Sequence, residues 1–151
     1  MSIHIRHQAK QLARLKYEQD ILYDQYAKTF GLQRTSFFIL IWLYYAQSPL
    51  SQACLSHKLG ASKQLINTSI KLFEEEKLIS FVPNERDKRQ KFIYLTDKGK
   101  AYASSILDPL EEAEGRAIAQ MSEEERDKLL QLYASFNESL EQQLESQVCH
   151  D

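Results

Sequence analysis

The sequence predicts a mainly α-helical chain of the α+β class with one small β-hairpin. Apolar residues recur at helical spacing over most of the 151 residues, whereas only two short runs, 79–82 and 92–95, are rich in aromatic and β-branched residues. Four glycines and three prolines leave little room for long linkers. We therefore expect one domain, or one domain with a dimerisation extension.

Two helices are predicted in the first fifty residues. Residues 4–28 carry an apolar face, and Gly31 can terminate that helix. A small domain cannot cover so long a helix, so part of it is expected to pack on a partner chain. Residues 35–47, TSFFILIWLYYAQ, are apolar on nearly all sides and predict a central, buried second helix.

A short helix over 52–59 is expected after Pro49, with Ser51 as its N-cap. Its inward-facing residues should be Cys54, Leu55 and Leu59. Gly60 makes the turn into a further helix that Ser62 can cap. The predicted apolar face of that helix comprises Leu65, Ile66, Ile70 and Phe73. Its other face has no acid and comprises Lys63, Gln64, Asn67, Thr68 and Lys71. Such side chains can bond base edges or phosphates.

A β-hairpin pattern follows, with a basic segment between its two strands. Pro83 and Asn84 favour a turn, and four of the nine residues in 83–91 are Lys or Arg: Arg86, Lys88, Arg89 and Lys91. A helix with a base-reading face followed by a basic hairpin is the layout of a winged helix-turn-helix. In that fold the helix enters the major groove and the wing reaches the backbone or minor groove.

Two further helices are predicted after the hairpin. Thr96 can cap a helix from Asp97 toward Ala119, in which Pro109 predicts a kink. Ser122 and Glu125 have capping-box spacing. The last helix has an apolar seam formed by Leu129, Leu130, Leu132, Tyr133, Phe136, Leu140 and Leu144. With the first helix, it indicates a dimer core of terminal helices. A coiled coil with an unrelated partner is less favoured, because no heptad run lasts four repeats.

The segment Asp87-Lys88-Arg89, followed by Leu95-Thr96 and Gly99, resembles the D-x-R…L-T-x-x-G wing signature of the MarR family of bacterial transcriptional regulators. Leu50-Ser51, Leu59-Gly60-Ala61-Ser62 and Leu78-Ile79 are similar to the helix-turn-helix of that family. The resemblance covers residues 32–145 and is most specific over 50–99. It implies a homodimer on a palindromic operator, often released by a small molecule or oxidant. Residues 1–30 and 100–148 would be its dimerisation helices, and 32–99 its winged-helix part.

The predicted DNA-binding residues are Ser62, Lys63, Gln64, Asn67, Thr68, Lys71, Arg86, Asp87, Lys88, Arg89 and Lys91. The resemblance implies that Arg89 enters the minor groove and that Asp87 orients it through a salt bridge. It also implies an effector pocket beside the second helix, for which the candidates are Phe38, Trp42 and Tyr45.

The net charge of −2 is unevenly distributed along the chain. Residues 1–50 carry +3 and residues 51–100 carry +4, whereas residues 101–151 carry −9. The positive part coincides with the predicted DNA surface. The acidic part must face elsewhere, because it would repel phosphate.

Several classes of protein are disfavoured. The chain has no phosphate-binding glycine loop, no H-E-x-x-H and no paired-cysteine site, so we expect no enzyme, cofactor or metal. His4 and His7 could bind a metal, but such terminal histidines are usually solvent-exposed. No membrane span, secretory signal or disulfide framework is evident, Cys54 and Cys149 being the only cysteines, and we expect a cytoplasmic protein.

These observations predict a sequence-specific regulator that binds double-stranded DNA, a repressor released by a small-molecule effector. One alternative is oxidant sensing through Cys54, although oxidant-sensing MarR members use a cysteine in the first helix, which this chain lacks. The other is a winged-helix protein-interaction module, which would not need the basic stripe.

Overall fold

The computed structural model describes residues 2–148, and the side chains among them as far as residue 145. Cys149 lies outside the described residues. The helices are α1 (Ile3–Thr29), α2 (Arg34–Tyr44), α3 (Gln52–Leu59), α4 (Lys63–Glu75), α5 (Asp97–Ile118) and α6 (Glu123–Val148). The strands are β1 (Leu50–Ser51), β2 (Ile79–Pro83) and β3 (Lys91–Leu95). The predicted mainly helical class with a β-hairpin is confirmed.

The chain divides into two compact units, Met1–Leu107 and Asp108–Asp151. The first contains the helix-turn-helix, the sheet and the beginning of α5. Its core is formed by the inward faces of α2, α3 and α4 together with one face of the sheet, and includes Phe37, Leu40, Leu55, Ile70 and Phe73. The largest of these side chains are aromatic and aliphatic, as expected where burial of apolar area supplies the stability.

The N-terminal helix has the ends that the sequence predicts. Ser2 accepts a hydrogen bond from the Ile5 backbone N–H, and Gly31 adopts a left-handed conformation at φ +71°. This conformation lets the Leu32 N–H donate to the Ala27 carbonyl at 3.1 Å, which closes the last turn of α1.

The sheet has three antiparallel strands in the order β1-β3-β2. Its hairpin pairs Ile79 with Leu95 at one end and Pro83 with Lys91 at the other. Strand β1 was not predicted, because its two residues are too few to show an alternating pattern. Leu50 pairs with Ile93 there, and Ser51 also accepts from the Cys54 N–H as the N-cap of α3.

The second helix differs from its prediction in length and burial. It ends at Tyr44 rather than at residue 47, and it is not buried on all sides. Phe37, Ile39 and Leu40 are buried, but Trp42 is 37% exposed and Tyr45, just past the helix, is 49% exposed. The expectation of a helix covered all round was wrong, because hydropathy alone does not show which apolar flank the neighbouring elements leave open.

The start of α5 is fastened to the end of α4. Thr96 donates its backbone N–H to the Leu78 carbonyl at 2.9 Å, and its hydroxyl accepts from the Gly99 N–H at 3.0 Å. A Cβ atom added at Gly99 would lie 1.8 Å from the Leu78 carbonyl oxygen. The L-T-x-x-G pattern therefore has a packing reason: only a glycine allows the α5 backbone to approach the α4–β2 junction this closely.

In the second unit, the capping box at the start of α6 is present as predicted. The Ser122 N–H donates to Glu125 Oε2 at 2.8 Å, and the Glu125 N–H donates to Ser122 Oγ at 3.3 Å. The bond from the Ser122 backbone holds the pKa of the Glu125 carboxyl below its usual value. Pro109 lies inside α5, and the kink there stays a prediction.

Replacing Gly99 by Ala is expected to destabilise the protein by about 1–3 kcal/mol, because the new methyl group meets backbone that cannot rotate away. Gly115→Ala is the matched control on the same helix, since nothing lies within 4 Å of the added Cβ. The Gly115→Ala substitution should instead stabilise the folded protein by about 0.5–1 kcal/mol. Urea unfolding followed by circular dichroism measures both. Equal stability of the two variants would contradict the close-approach explanation.

Candidate nucleic-acid interface

A short, hydrogen-bonded turn joins α3 to α4. Gly60 adopts φ +57°, and Ser56 Oγ donates to the Ala61 carbonyl at 2.6 Å. The Ala61 N–H in turn donates to the Ser56 carbonyl at 3.2 Å. Ser62 Oγ then accepts from the Leu65 N–H, which confirms Ser62 as the N-cap of α4. The turn thus fixes the direction of α4 relative to α3.

The inward face of α4 is set by Ile66, Ile70 and Phe73, each about 1% exposed. Between them, buried Ser69 accepts a hydrogen bond from Ser36 Oγ of α2 at 2.9 Å. The predicted inclusion of Leu65 in this face was wrong, because Leu65 is 54% exposed. One residue corresponds to about 100° around a helix, so Leu65 lies on the flank of the face that Ile66 buries.

The polar face of α4 is solvent-exposed over its whole length, at Lys63, Gln64, Asn67, Thr68 and Lys71. Thr68 Oγ1 donates to the Gln64 carbonyl at 2.9 Å, so its hydroxyl oxygen stays open as an acceptor. The structure therefore brings together, on one helix face, the residues of α4 that the sequence selected.

The wing tip is organised by two side chains that accept from backbone N–H groups. Asn84 Oδ1 accepts from the Arg86 N–H at 3.0 Å, and Asp87 Oδ1 accepts from the Arg89 N–H at 3.0 Å. Two backbone bonds, from Asn84 to the Gln90 carbonyl and from Gln90 to the Asp87 carbonyl, close the tip. These are Asx-type turns, which give a short loop a defined shape without a core.

The contact that Asp87 makes in this structure is not the salt bridge that the resemblance implies. Among the described residues, no ion pair joins the Asp87 carboxylate to the Arg89 guanidinium. The carboxylate instead holds the backbone of Arg89. It therefore fixes where the Arg89 side chain begins and leaves the guanidinium available for another partner.

The cations of the polar face and wing also form no ion pair with any of the side chains that the structure describes. In the part of the chain with described side chains, ion pairs form at Arg14, Arg34 and Arg116, and none involves Lys63, Lys71 or the wing cations. Arg34 shows the contrast: its guanidinium donates to Asp24 Oδ2 at 2.7 Å, and this bond is the main reason that its pKa is raised.

Two open clefts flank this surface and contain residues that the sequence did not single out. One, of about 320 Å³, lies between the start of α3 and the wing and is lined by Gln52 and Arg89. The other, of about 720 Å³, lies between the start of α2, where it is lined by the N-cap residue Gln33 and by Thr35, and Leu65 and Leu72 of α4. No local sequence signal marks Gln33, Thr35 or Gln52, because these residues approach the surface only through tertiary packing.

The effector candidates Phe38, Trp42 and Tyr45 follow one flank of α2 but line none of the clefts described above. Phe38 stacks edge-on against Phe37, and Lys58 Nζ lies 4.2 Å from the centre of the Trp42 ring. A separate open cleft of about 750 Å³ is lined by Tyr44, Pro49, Tyr94 and Lys100. The assignment of the three aromatics to a pocket stays a prediction.

Comparison with known proteins identifies the fold. A model described as "MarR family" matches residues 30–90. MepR of Staphylococcus aureus in a DNA-binding conformation superimposes with a TM-score of 0.73, at 23% identity over 87% of this chain and 97% of that one. Over residues 30–90 this chain is similar to the MarR family, and its fold is that of MarR-type structures.

Two further MarR-type structures share this fold. The MepR–DNA complex gives a TM-score of 0.69 at 23% identity, over 87% of this chain and 96% of that one. NMB1585 of Neisseria meningitidis, a MarR family regulator, gives a TM-score of 0.76 at 22% identity, over 92% of this chain and 97% of that one. No curated protein sequence matches.

MepR is described as a transcription regulator and NMB1585 as a MarR family regulator. Within the described residues no group of three or more His, Cys, Asp or Glu side chains could hold a metal ion. The helices of that same part of the chain include none with the length and apolar character needed to span a bilayer.

Proposed function

We propose that this chain binds double-stranded operator DNA in a sequence-specific manner and represses transcription as a homodimer. The observation that carries the proposal is the surface formed by the polar face of α4 and the wing. It presents amide, hydroxyl and cationic side chains, and none of its cations is neutralised by an ion pair within the described residues. The same fold has been solved in complex with DNA in MepR.

The two parts of this surface suit different parts of the duplex. Gln64 and Asn67 can bond base edges in the major groove, and Lys63 and Lys71 can neutralise phosphates. Arg89 on the wing suits a narrow minor groove, because a guanidinium is weakly hydrated and such a groove is strongly electronegative. Arg86, Lys88 and Lys91 would support backbone binding. A pure protein-interaction module would not require this acid-free face.

Dimerisation is supported by exposed apolar side chains on both terminal helices. In the first unit, α1 exposes Ile5, Leu15, Ile21 and Leu22, and in the second, α6 exposes Leu129, Tyr133, Phe136 and Leu140. Large apolar side chains left exposed on a helix indicate an interaction site. We therefore assign residues 1–30 and 100–148 to dimerisation and residues 32–99 to DNA binding, on a palindromic operator.

Release by a small apolar or phenolic effector is part of the proposal, with Phe38, Trp42 and Tyr45 as its candidate contacts. These aromatics present partly exposed rings on one flank of α2. Cys54 is the free cysteine among the described residues, and it is only partly exposed, which favours the small-molecule route over oxidation.

The wing is tested by Arg89→Ala. Loss of one minor-groove contact should weaken operator binding by about 1–3 kcal/mol, and a dimer loses two such contacts. Lys71→Ala should weaken operator and random duplex alike and flatten the salt dependence, since a phosphate contact carries no sequence information. Titration against both duplexes at two salt concentrations measures these effects.

Arg14→Ala is the matched control for charge, because Arg14 lies on α1 and is paired with Glu18. It should leave operator affinity unchanged, and all three variants should melt like the parent. Full operator affinity of the Arg89→Ala protein would show that the wing does not read DNA.

The dimer is tested by replacing Leu129, Phe136 and Leu140 together by Ser. Burial of each such side chain contributes about 1.5–3 kcal/mol to the free energy of association. The dissociation constant of the dimer should therefore rise by at least about a hundredfold. Analytical ultracentrifugation over a range of concentrations reads this directly. Replacing Gln131, Glu138 and Gln142 by Ser on the same helix controls for helix propensity and should preserve the dimer. An unchanged dimer in the Leu129/Phe136/Leu140 variant would refute this interface.

The route of release is tested by Cys54→Ser and Trp42→Ala. We expect Cys54→Ser to respond to a series of small phenols and aromatic acids as the parent does, and Trp42→Ala to lose that response while still binding operator. Fluorescence anisotropy of labelled operator is the measurement. A response of the parent to peroxide that Cys54→Ser abolishes would instead establish the oxidant-sensing alternative.

A further inference from the structure

Leu65 is an apolar side chain on a surface otherwise made of polar groups. It is 54% exposed in the first turn of α4, whereas Ile66 beside it is 1% exposed. Gln64 precedes it, and Thr68 follows three residues later, which places Thr68 next to it on the helix surface. Leu65 therefore borders the face that is proposed to enter the major groove, and it does not contribute to the core.

The first turn of a recognition helix is where base edges are contacted in helix-turn-helix proteins. Among the four bases, thymine alone presents an apolar group, its C5-methyl, in the major groove. An exposed leucine cannot bond the donors and acceptors of the other base edges. It can, however, bury a methyl group, and it would lose water-exposed area in doing so.

We propose that Leu65 recognises the C5-methyl group of a thymine in each operator half-site, which makes it a specificity-determining residue. This inference rests on the proposed function and deepens it. It adds an apolar reading position to a face whose other members read by hydrogen bonds and charge. We therefore expect the operator to require a thymine close to the bases that Gln64 would contact.

Leu72 provides a contrast on the same helix. It lies two turns further along the same flank and is 46% exposed. The acids Glu74, Glu75 and Glu76 surround that end of α4, and their charge would repel phosphate. Leu72 is therefore expected to stay away from the duplex. An exposed leucine that has no role in reading DNA is thus available on the same helix as a control.

The experiment removes the methyl group from the DNA and the leucine from the protein. An operator is first selected from random duplexes with the full-length protein. Each thymine is then replaced singly by uracil, which deletes only the C5-methyl and leaves base pairing intact. Affinities of the parent, Leu65→Ala, Leu65→Met and Leu72→Ala are measured for every duplex, with thermal melting to verify folding.

At one thymine per half-site, uracil should lower parent affinity about fourfold, the scale of burying one methyl-sized group. Leu65→Ala should bind both duplexes equally there, since the two changes remove the same contact and are not additive. Leu65→Met should retain the discrimination because it keeps an apolar side chain. Leu72→Ala should behave like the parent at every position.

Two results would overturn the inference while leaving the proposed function intact: a parent that nowhere distinguishes thymine from uracil, or a Leu65→Ala protein that keeps the parent's full thymine preference. If the Arg89→Ala protein still binds the selected operator more weakly than the parent, either result would indicate that Leu65 only lines the cleft beside Gln33 and Thr35. Failure to select any duplex over random DNA would overturn both the proposed function and this inference.

Discussion

The Leu78 carbonyl is the point at which the elements of the winged helix are tied together. It accepts from the Thr96 backbone N–H at 2.9 Å, and it occupies the space that a side chain at Gly99 would need. The Thr96 hydroxyl donates to the Lys77 carbonyl and accepts from the Gly99 N–H. The end of α4, the sheet and the start of α5 are therefore fixed in one place, and the orientation of α4 depends on that junction.

The surface proposed to bind DNA is kept apart from the interactions that hold the fold together. The core side of α4 is fastened by apolar burial and by the Ser36–Ser69 bond. The outward side has no part in either, so its lysines and amides can be directed at a ligand without loss of stability. Along the sequence, acidic residues are concentrated after residue 100, whereas residues 51–100, which include α4 and the wing, carry +4.

The predictable part of the fold was the part that depends on local signals. Ser51, Ser62 and the Ser122–Glu125 pair act as the sequence predicts, because a cap involves only neighbouring residues. The polar face of α4 was found for the same reason, since helical periodicity is local. The wrong assignments were Leu65 to the buried face and α2 to full burial. Both concern the flank of an amphipathic helix, where only the neighbouring elements decide what is covered.

Asp87 shows how an acid of the wing can hold the backbone of an arginine and not its side chain. The wing signature pointed to an acid two residues before an arginine, and a salt bridge was its implied meaning. In the structure that carboxylate accepts the Arg89 backbone N–H, and Asn84 does the same for Arg86. Ordering the backbone of the tip in advance reduces the conformational entropy lost on binding. A guanidinium already paired with Asp87 would have to give up that partner before it could enter a groove, so the backbone contact would serve the proposed DNA binding better than a salt bridge.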